Sequence, residues 1–71
     1  MNTLKLKDFI KVVNKDTEIR ISRTGWDNDT NSVYCKEVFL GLVKQVKGKS
    51  LLDSKVTQLE FFLDRWFVWV D

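Results

Sequence analysis

The side chains that usually carry out catalysis are scarce in this sequence. There is no histidine and a single cysteine, Cys35, so neither a Ser–His nor a Cys–His nucleophile pair can be built. A zinc site with the usual ligand set is excluded for the same reason. The ten carboxylates form no obvious pair, and the chain is too short for a sizeable cavity. We therefore predict a protein that is not an enzyme and holds no metal or cofactor, with Cys35 as a small buried side chain.

One acidic segment matches the first half of a calcium-binding loop. Asp27 to Asn31 places oxygen-bearing side chains at positions 1, 3 and 5 of the EF-hand pattern. Position 6 is Ser32 instead of glycine, and position 12 is Val38 instead of a bidentate glutamate. We interpret the segment as a polar hairpin loop.

The chain concentrates large aromatic residues near its C-terminal end. If residues 55–63 and 66–70 form a hairpin around an Asp64-Arg65 turn, side chains alternate between two faces. One face is entirely apolar and is predicted to be core: Leu59, Phe61, Leu63, Trp66, Val68 and Val70. The other face carries Gln58, Glu60, Phe62, Phe67 and Trp69. Three aromatic side chains on an open sheet indicate a contact surface.

The candidate interaction surface therefore consists of Phe62, Phe67, Trp69, Glu60 and Trp26. Three alternatives remain open for it. They are docking of a different macromolecule, burial against a second copy in a homodimer, and coverage by the loop around Trp26.

Basic residues beside the aromatic residues suggest a second function, the binding of single-stranded nucleic acid. The candidates for this are Lys44, Lys47, Lys49, Arg20 and Arg23. Twelve Lys and Arg against ten Asp and Glu leave a formal charge of only +2, which is weak for a domain that follows phosphates. Protein binding is therefore our first hypothesis and nucleic-acid binding the alternative.

Hydrophobic periodicity predicts the elements that position these residues. A stripe of apolar residues predicts a helix over Leu4 to Val13, with Thr3 as its N-cap. Alternation predicts strands over Thr17 to Ser22 and Ser32 to Lys36, joined by a polar loop over 24–31.

A second apolar stripe predicts a helix over Glu37 to Lys47, followed by a loop over 49–54 and the final hairpin. The order is αββαββ. We expect an α+β fold, a four-stranded, mainly antiparallel sheet with both helices on one face.

Length and composition set the remaining limits. With 71 residues the chain is one domain, 1–71, and 44% hydrophobic residues argue against disorder. No apolar run is long enough for a membrane span, and the first residues lack a secretory signal. A single cysteine fits a reducing compartment, so we predict a cytoplasmic protein.

The order of these segments resembles small accessory proteins of phages and prophages from Gram-positive bacteria. The similarity covers Leu6 to Val13, Asp16 to Ile21, Val33-Tyr34 and Leu52 to Val56, together with the terminal apolar strand. It implies a compact protein that binds one host or phage macromolecule. Inhibition of a host defence system, as by anti-CRISPR proteins, is one such role, in the host cytoplasm. The resemblance identifies no site residue.

Overall fold

In the computed structural model, which describes residues 3–71, a short helix precedes each of two β-hairpins. The elements are α1 (Leu6–Val12), β1 (Glu18–Asp27), β2 (Ser32–Leu42), a 3-10 turn (Val43–Gln45), α2 (Lys49–Leu52), β3 (Val56–Phe62) and β4 (Arg65–Val70). The predicted α+β class is confirmed, with one four-stranded sheet and two helices in the described part of the chain.

The sheet is mixed, with the strand order β2-β1-β4-β3. The two hairpins pair antiparallel, and the central strands β1 and β4 pair parallel. The expectation of a mainly antiparallel sheet is compatible with this topology. The most apolar strand, Trp66 to Val70, lies in a central position, where a strand can bury side chains most completely.

Helix α1 is shorter than predicted. It begins after Lys5, which has an extended backbone and no side-chain cap, so Thr3 is not the N-cap. Leu4 lies beside the start of β3, because the Val56 N–H donates a hydrogen bond to the Leu4 carbonyl (2.8 Å). The predicted apolar stripe is confirmed, since Leu6 and Phe9 are buried.

The hydrophobic core lies between α1, the sheet and the segment after β2. Its buried members are Leu6, Phe9, Ile19, Ile21, Val43, Val46, Val68 and Val70. Leu51 and Leu52 of α2 pack against this cluster. The Trp66 ring meets the Phe9 ring edge to face, with centroids 5.0 Å apart.

The predicted helix over Glu37 to Lys47 is wrong, because its first half belongs to β2. Phe39 lies opposite Ile21, whereas the next β1 residue lies opposite Glu37, which leaves Val38 as the extra residue of a bulge. The extra residue interrupts the period of two along β2. The apolar residues therefore fall at spacings of three and four, which are typical of a helix.

The second helix, α2, is a single turn inside the predicted loop over 49–54. Strand β1 continues through the first part of the other predicted loop, as far as Asp27. Cys35 lies on the outer strand β2 and is exposed, so the prediction that it is buried is wrong.

The turn of the last hairpin is Leu63-Asp64 instead of Asp64-Arg65. Both residues have positive φ (54° and 58°), as in the type I′ turn that suits strand twist. The pairing moves by two residues, so that Phe61 and not Leu63 lies opposite Trp66. An even shift leaves the predicted faces unchanged. The prediction that Leu59, Phe61 and Leu63 are core is wrong, because the first two lie on the edge strand β3 and are 39% and 53% exposed, and Leu63 lies in the turn and is 81% exposed.

Candidate interaction surface

Three strands contribute side chains to the side of the sheet that faces away from Ile21 and Val68. Directly opposite residues share a side, which gives three rows across β3, β4 and β1. The rows are Phe62–Arg65–Glu18, Glu60–Phe67–Arg20 and Gln58–Trp69–Ser22. We name these nine residues the open face.

A shallow depression of about 320 Å³ lies on the open face. It is lined by Arg20, Glu60, Phe62, Phe67 and Trp69. Four of the five residues predicted for the interaction surface therefore lie together. Phe62 is 60% exposed, whereas Phe67 and Trp69 are half-buried.

A second depression, of about 170 Å³, continues the open face toward β2. It shares Arg20, Phe67 and Trp69 with the first and adds Ser22 and Cys35. Phe67 and Trp69 of the central strand β4 therefore border both depressions.

Two ion pairs flank the aromatic side chains. The Arg20 Nε atom lies 2.8 Å from a carboxylate oxygen of Glu37. Arg65 directs two nitrogens at Glu18 Oε2, at 2.8 and 2.6 Å. Among the ion pairs found within residues 3–71 none involves Glu60. This surface therefore has no excess of positive charge.

Trp26 is not part of this surface. It is 55% exposed near the tip of the β1–β2 hairpin and lines a separate depression with the turn residues and Tyr34. The Tyr34 side chain crosses Gly25 so closely that a Cβ atom there would lie 2.5 Å from the Tyr34 hydroxyl oxygen and 2.6 Å from the ring. Trp26 does not line the depression that contains Phe62, so it does not cover it.

The residues predicted to bind nucleic acid are mostly engaged in other contacts. Arg23 donates hydrogen bonds to the Asp71 carbonyl (2.6 Å) and Ser54 Oγ (3.1 Å). Lys44 pairs with Asp16 at 3.0 Å. Lys47 and Lys49 are exposed, and of the five candidates only Arg20 lines the aromatic depression.

The sequence analysis missed the polar partners of the open face. Glu18, Glu37 and Arg65 were not candidates, because Arg65 was placed in a turn and Glu37 in a helix. The Arg65–Glu18 contact joins residues 47 positions apart. No local spacing signals such a pair, because it depends on the parallel pairing of β1 with β4.

Within residues 3–71 no group of three or more acidic, cysteine or histidine side chains is arranged to hold a metal ion. None of the helices in that range is long and apolar enough to cross a membrane.

Comparisons with known proteins add no relative. A scan against protein-family models, a search of curated proteins and a search of solved structures each found no match.

Proposed function

We propose that this chain is a non-enzymatic protein-interaction module that docks another protein on its open face. The observation that carries the proposal is the depression that groups Phe62, Phe67 and Trp69 beside Arg20 and Glu60. Large aromatic anchors surrounded by polar groups are typical of the energetic centre of a protein interface. A large aromatic side chain carries about 150–250 Å² of surface. Phe62 is 60% exposed and offers most of its share to a partner, whereas Phe67 and Trp69 offer the smaller part that the fold leaves accessible.

The proposal also requires that both helices cover the opposite side of the sheet. The core contacts support this arrangement. Leu51 of α2 and Ile10 of α1 pack against the cluster that contains Ile21 and Val68. These two sheet residues alternate with Arg20 and Phe67 along their strands, so they point away from the open face.

The charge of the surface favours a protein over a nucleic acid as the partner. Both arginine side chains of the open face are already paired with carboxylates, and Glu60 adds a negative charge inside the depression. A strand of phosphates would have to displace these carboxylates. Binding of single-stranded nucleic acid, with no protein partner, is therefore the result that would replace the proposal.

We propose that the cellular role is inhibition of a host protein. An inhibitor of a host protein in the host cytoplasm fits the resemblance to phage accessory proteins. A reducing compartment fits the one cysteine, which is exposed and free.

The test compares two charged substitutions at exposed apolar residues. Phe62→Glu changes the open face, and Val12→Glu makes the same kind of change at the end of α1, where Val12 is 83% exposed. Tagged wild type and both variants are used to capture proteins from a nuclease-treated bacterial lysate, and affinities are then measured with the purified partner. We expect Phe62→Glu to weaken binding at least about 30-fold, corresponding to a hot spot of about 2 kcal/mol.

The Val12→Glu variant should bind as the wild type does. Equal binding by all three proteins would contradict the proposal, as would binding of added single-stranded oligonucleotides with no protein captured from the lysate. Light scattering on the wild type alone separates these results from a homodimer that buries its own aromatic residues.

A further inference from the structure

Strand β3 lies at an edge of the sheet, and part of its outer side is unpaired in the described structure. Leu4 covers the start of that side through its hydrogen bond with the Val56 N–H. Lys5 and Lys55 form an isolated antiparallel bridge at the same place. From Gln58 to Phe62, no other described strand pairs with the outer side of β3. The edge therefore already accepts an antiparallel neighbour near its start.

The backbone groups of this edge have a defined direction. A two-residue type I′ turn joins Phe62 and Arg65 as a hydrogen-bonded pair, and such pairs alternate along an antiparallel ladder. The N–H and C=O groups of Leu59 and Phe61 therefore point away from β4. The bulge before Gln58 adds one residue to β3 and so shifts the alternation by one position. With this shift the N–H of Val56 also points outward, in agreement with its hydrogen bond to Leu4.

This edge exposes apolar side chains on both sides of the sheet, beside the polar Gln58 and Glu60 of the open face. Leu59 and Phe61 are 39% and 53% exposed on the helix side, and Phe62 is exposed on the open face. Between Val56 and Phe62 there is no lysine or proline, the residues that commonly protect an edge strand. The single charge is Glu60.

The other edge of the sheet is better protected. Strand β2 carries the neighbouring charges Lys36 and Glu37, and the bulge at Val38 interrupts its outer side. The β3 edge is therefore the one suited to accept an added strand.

We propose that the outer side of β3 accepts an extended segment of a partner protein as an antiparallel fifth strand, with a lysine or arginine opposite Glu60. This inference rests on the proposed function and specifies its partner. A second β3 strand is a poor occupant, because pairing over the regular run of Gln58 to Phe62 would place Glu60 against Glu60 of the other copy. An opposite charge at that position removes the repulsion, and apolar neighbours would cover Leu59 and Phe61.

The Glu60→Lys variant of this same chain serves as the probe strand. In a mixed complex with wild type, the lysine of the variant lies opposite Glu60 in the antiparallel register. In a homodimer of either protein, two like charges lie opposite each other at this position. We expect sedimentation velocity to show a 1:1 complex at least tenfold tighter than either homodimer, weakened by salt. The matched control is Glu37→Lys, which makes the same charge change on the β2 edge and should give no complex with wild type.

Two further measurements show whether the strand edge carries the association. The backbone amides of Leu59 and Phe61 should gain protection from hydrogen exchange in the mixture. Leu59→Pro in both chains should abolish the complex, because it removes an outward N–H while leaving the hydrogen bonds to β4. Far-ultraviolet circular dichroism shows whether the Leu59→Pro variant folds. The hydrogen-exchange measurement does not use this variant and therefore tests the inference even if the variant is unfolded.

Three results would overturn the inference: a wild-type homodimer as tight as the mixed complex, no mixed complex, or a mixed complex in which these amides stay unprotected. The proposed function can be tested separately with the partner captured from the lysate. If Leu59→Pro retains that partner and Phe62→Glu loses it, the edge inference fails and open-face docking stands.

Discussion

The two faces of the sheet use the same strands for different purposes. On the core side, Ile19, Ile21, Val68 and Val70 are at most 1% exposed. On the open face, their neighbours in sequence include Arg20, Phe67 and Trp69, which remain partly accessible. The strand period of two thus separates residues that form the core from residues that remain accessible.

The comparison also shows how a small domain can keep aromatic side chains accessible. A chain of about this length buries only about 60% of the surface that its unfolded form exposes. Here the buried strand residues of the core lie on one side of the sheet. The aromatic side chains of the other side remain partly accessible.

The largest expected effect sharpens the difference between the faces. Ile21→Ala removes a fully buried side chain, and we expect the free energy of unfolding to fall by about 2–5 kcal/mol. Arg20→Ala, at the neighbouring position on the open face, should lower it by less than about 1 kcal/mol. Urea denaturation of both variants measures the contrast, and similar losses would break the comparison.

A smaller effect is expected at the turn between β3 and β4. Leu63 adopts a left-handed backbone conformation, which costs an L-residue such as leucine about 1–2 kcal/mol of conformational free energy. Asparagine tolerates this conformation, so Leu63→Asn should raise the unfolding free energy by about 1 kcal/mol. Thermal and urea unfolding test this increase, whereas a loss of stability would show that Leu63 makes a contact the turn needs.

The smallest effect concerns an ion pair on the open face. Arg65 and Glu18 are both partly exposed, so their interaction is weakened by solvent. A double-mutant cycle with Arg65→Ala and Glu18→Ala should give a coupling energy of about 0.2–1 kcal/mol that decreases with added salt. A coupling of several kcal/mol would mean that this pair, and not only the core, holds β4 against β1.

The sequence predicted the faces of the last hairpin better than its turn. The assignment of Phe62, Phe67 and Trp69 to one side survives because the true register differs from the predicted one by two residues. A shift by an odd number of residues would have placed the side chains of one strand on the opposite face from the one predicted. The sequence does not indicate Leu63-Asp64 as the turn, because leucine is an uncommon residue at positive φ, although aspartate tolerates it.

The second half of β2 could not be predicted in the same way. The bulge at Val38 gives its apolar residues a helical spacing, and only the pairing with β1 reveals the strand. The same pairing brings Glu37 to Arg20, which a helix over Glu37 to Lys47 would not imply. Contacts between distant parts of the chain decide both features.

The most direct test of the open-face proposal maps which side chains a partner covers. Hydroxyl-radical labelling of the free protein and of its complex with the captured partner reports on Phe62, Trp69 and Trp26 separately. The account predicts strong labelling of Phe62 in the free protein, protection of Phe62 and Trp69 in the complex, and unchanged labelling of Trp26. Protection of Trp26 with no change at Phe62 and Trp69 would contradict it and place the binding surface at the tip of the β1–β2 hairpin.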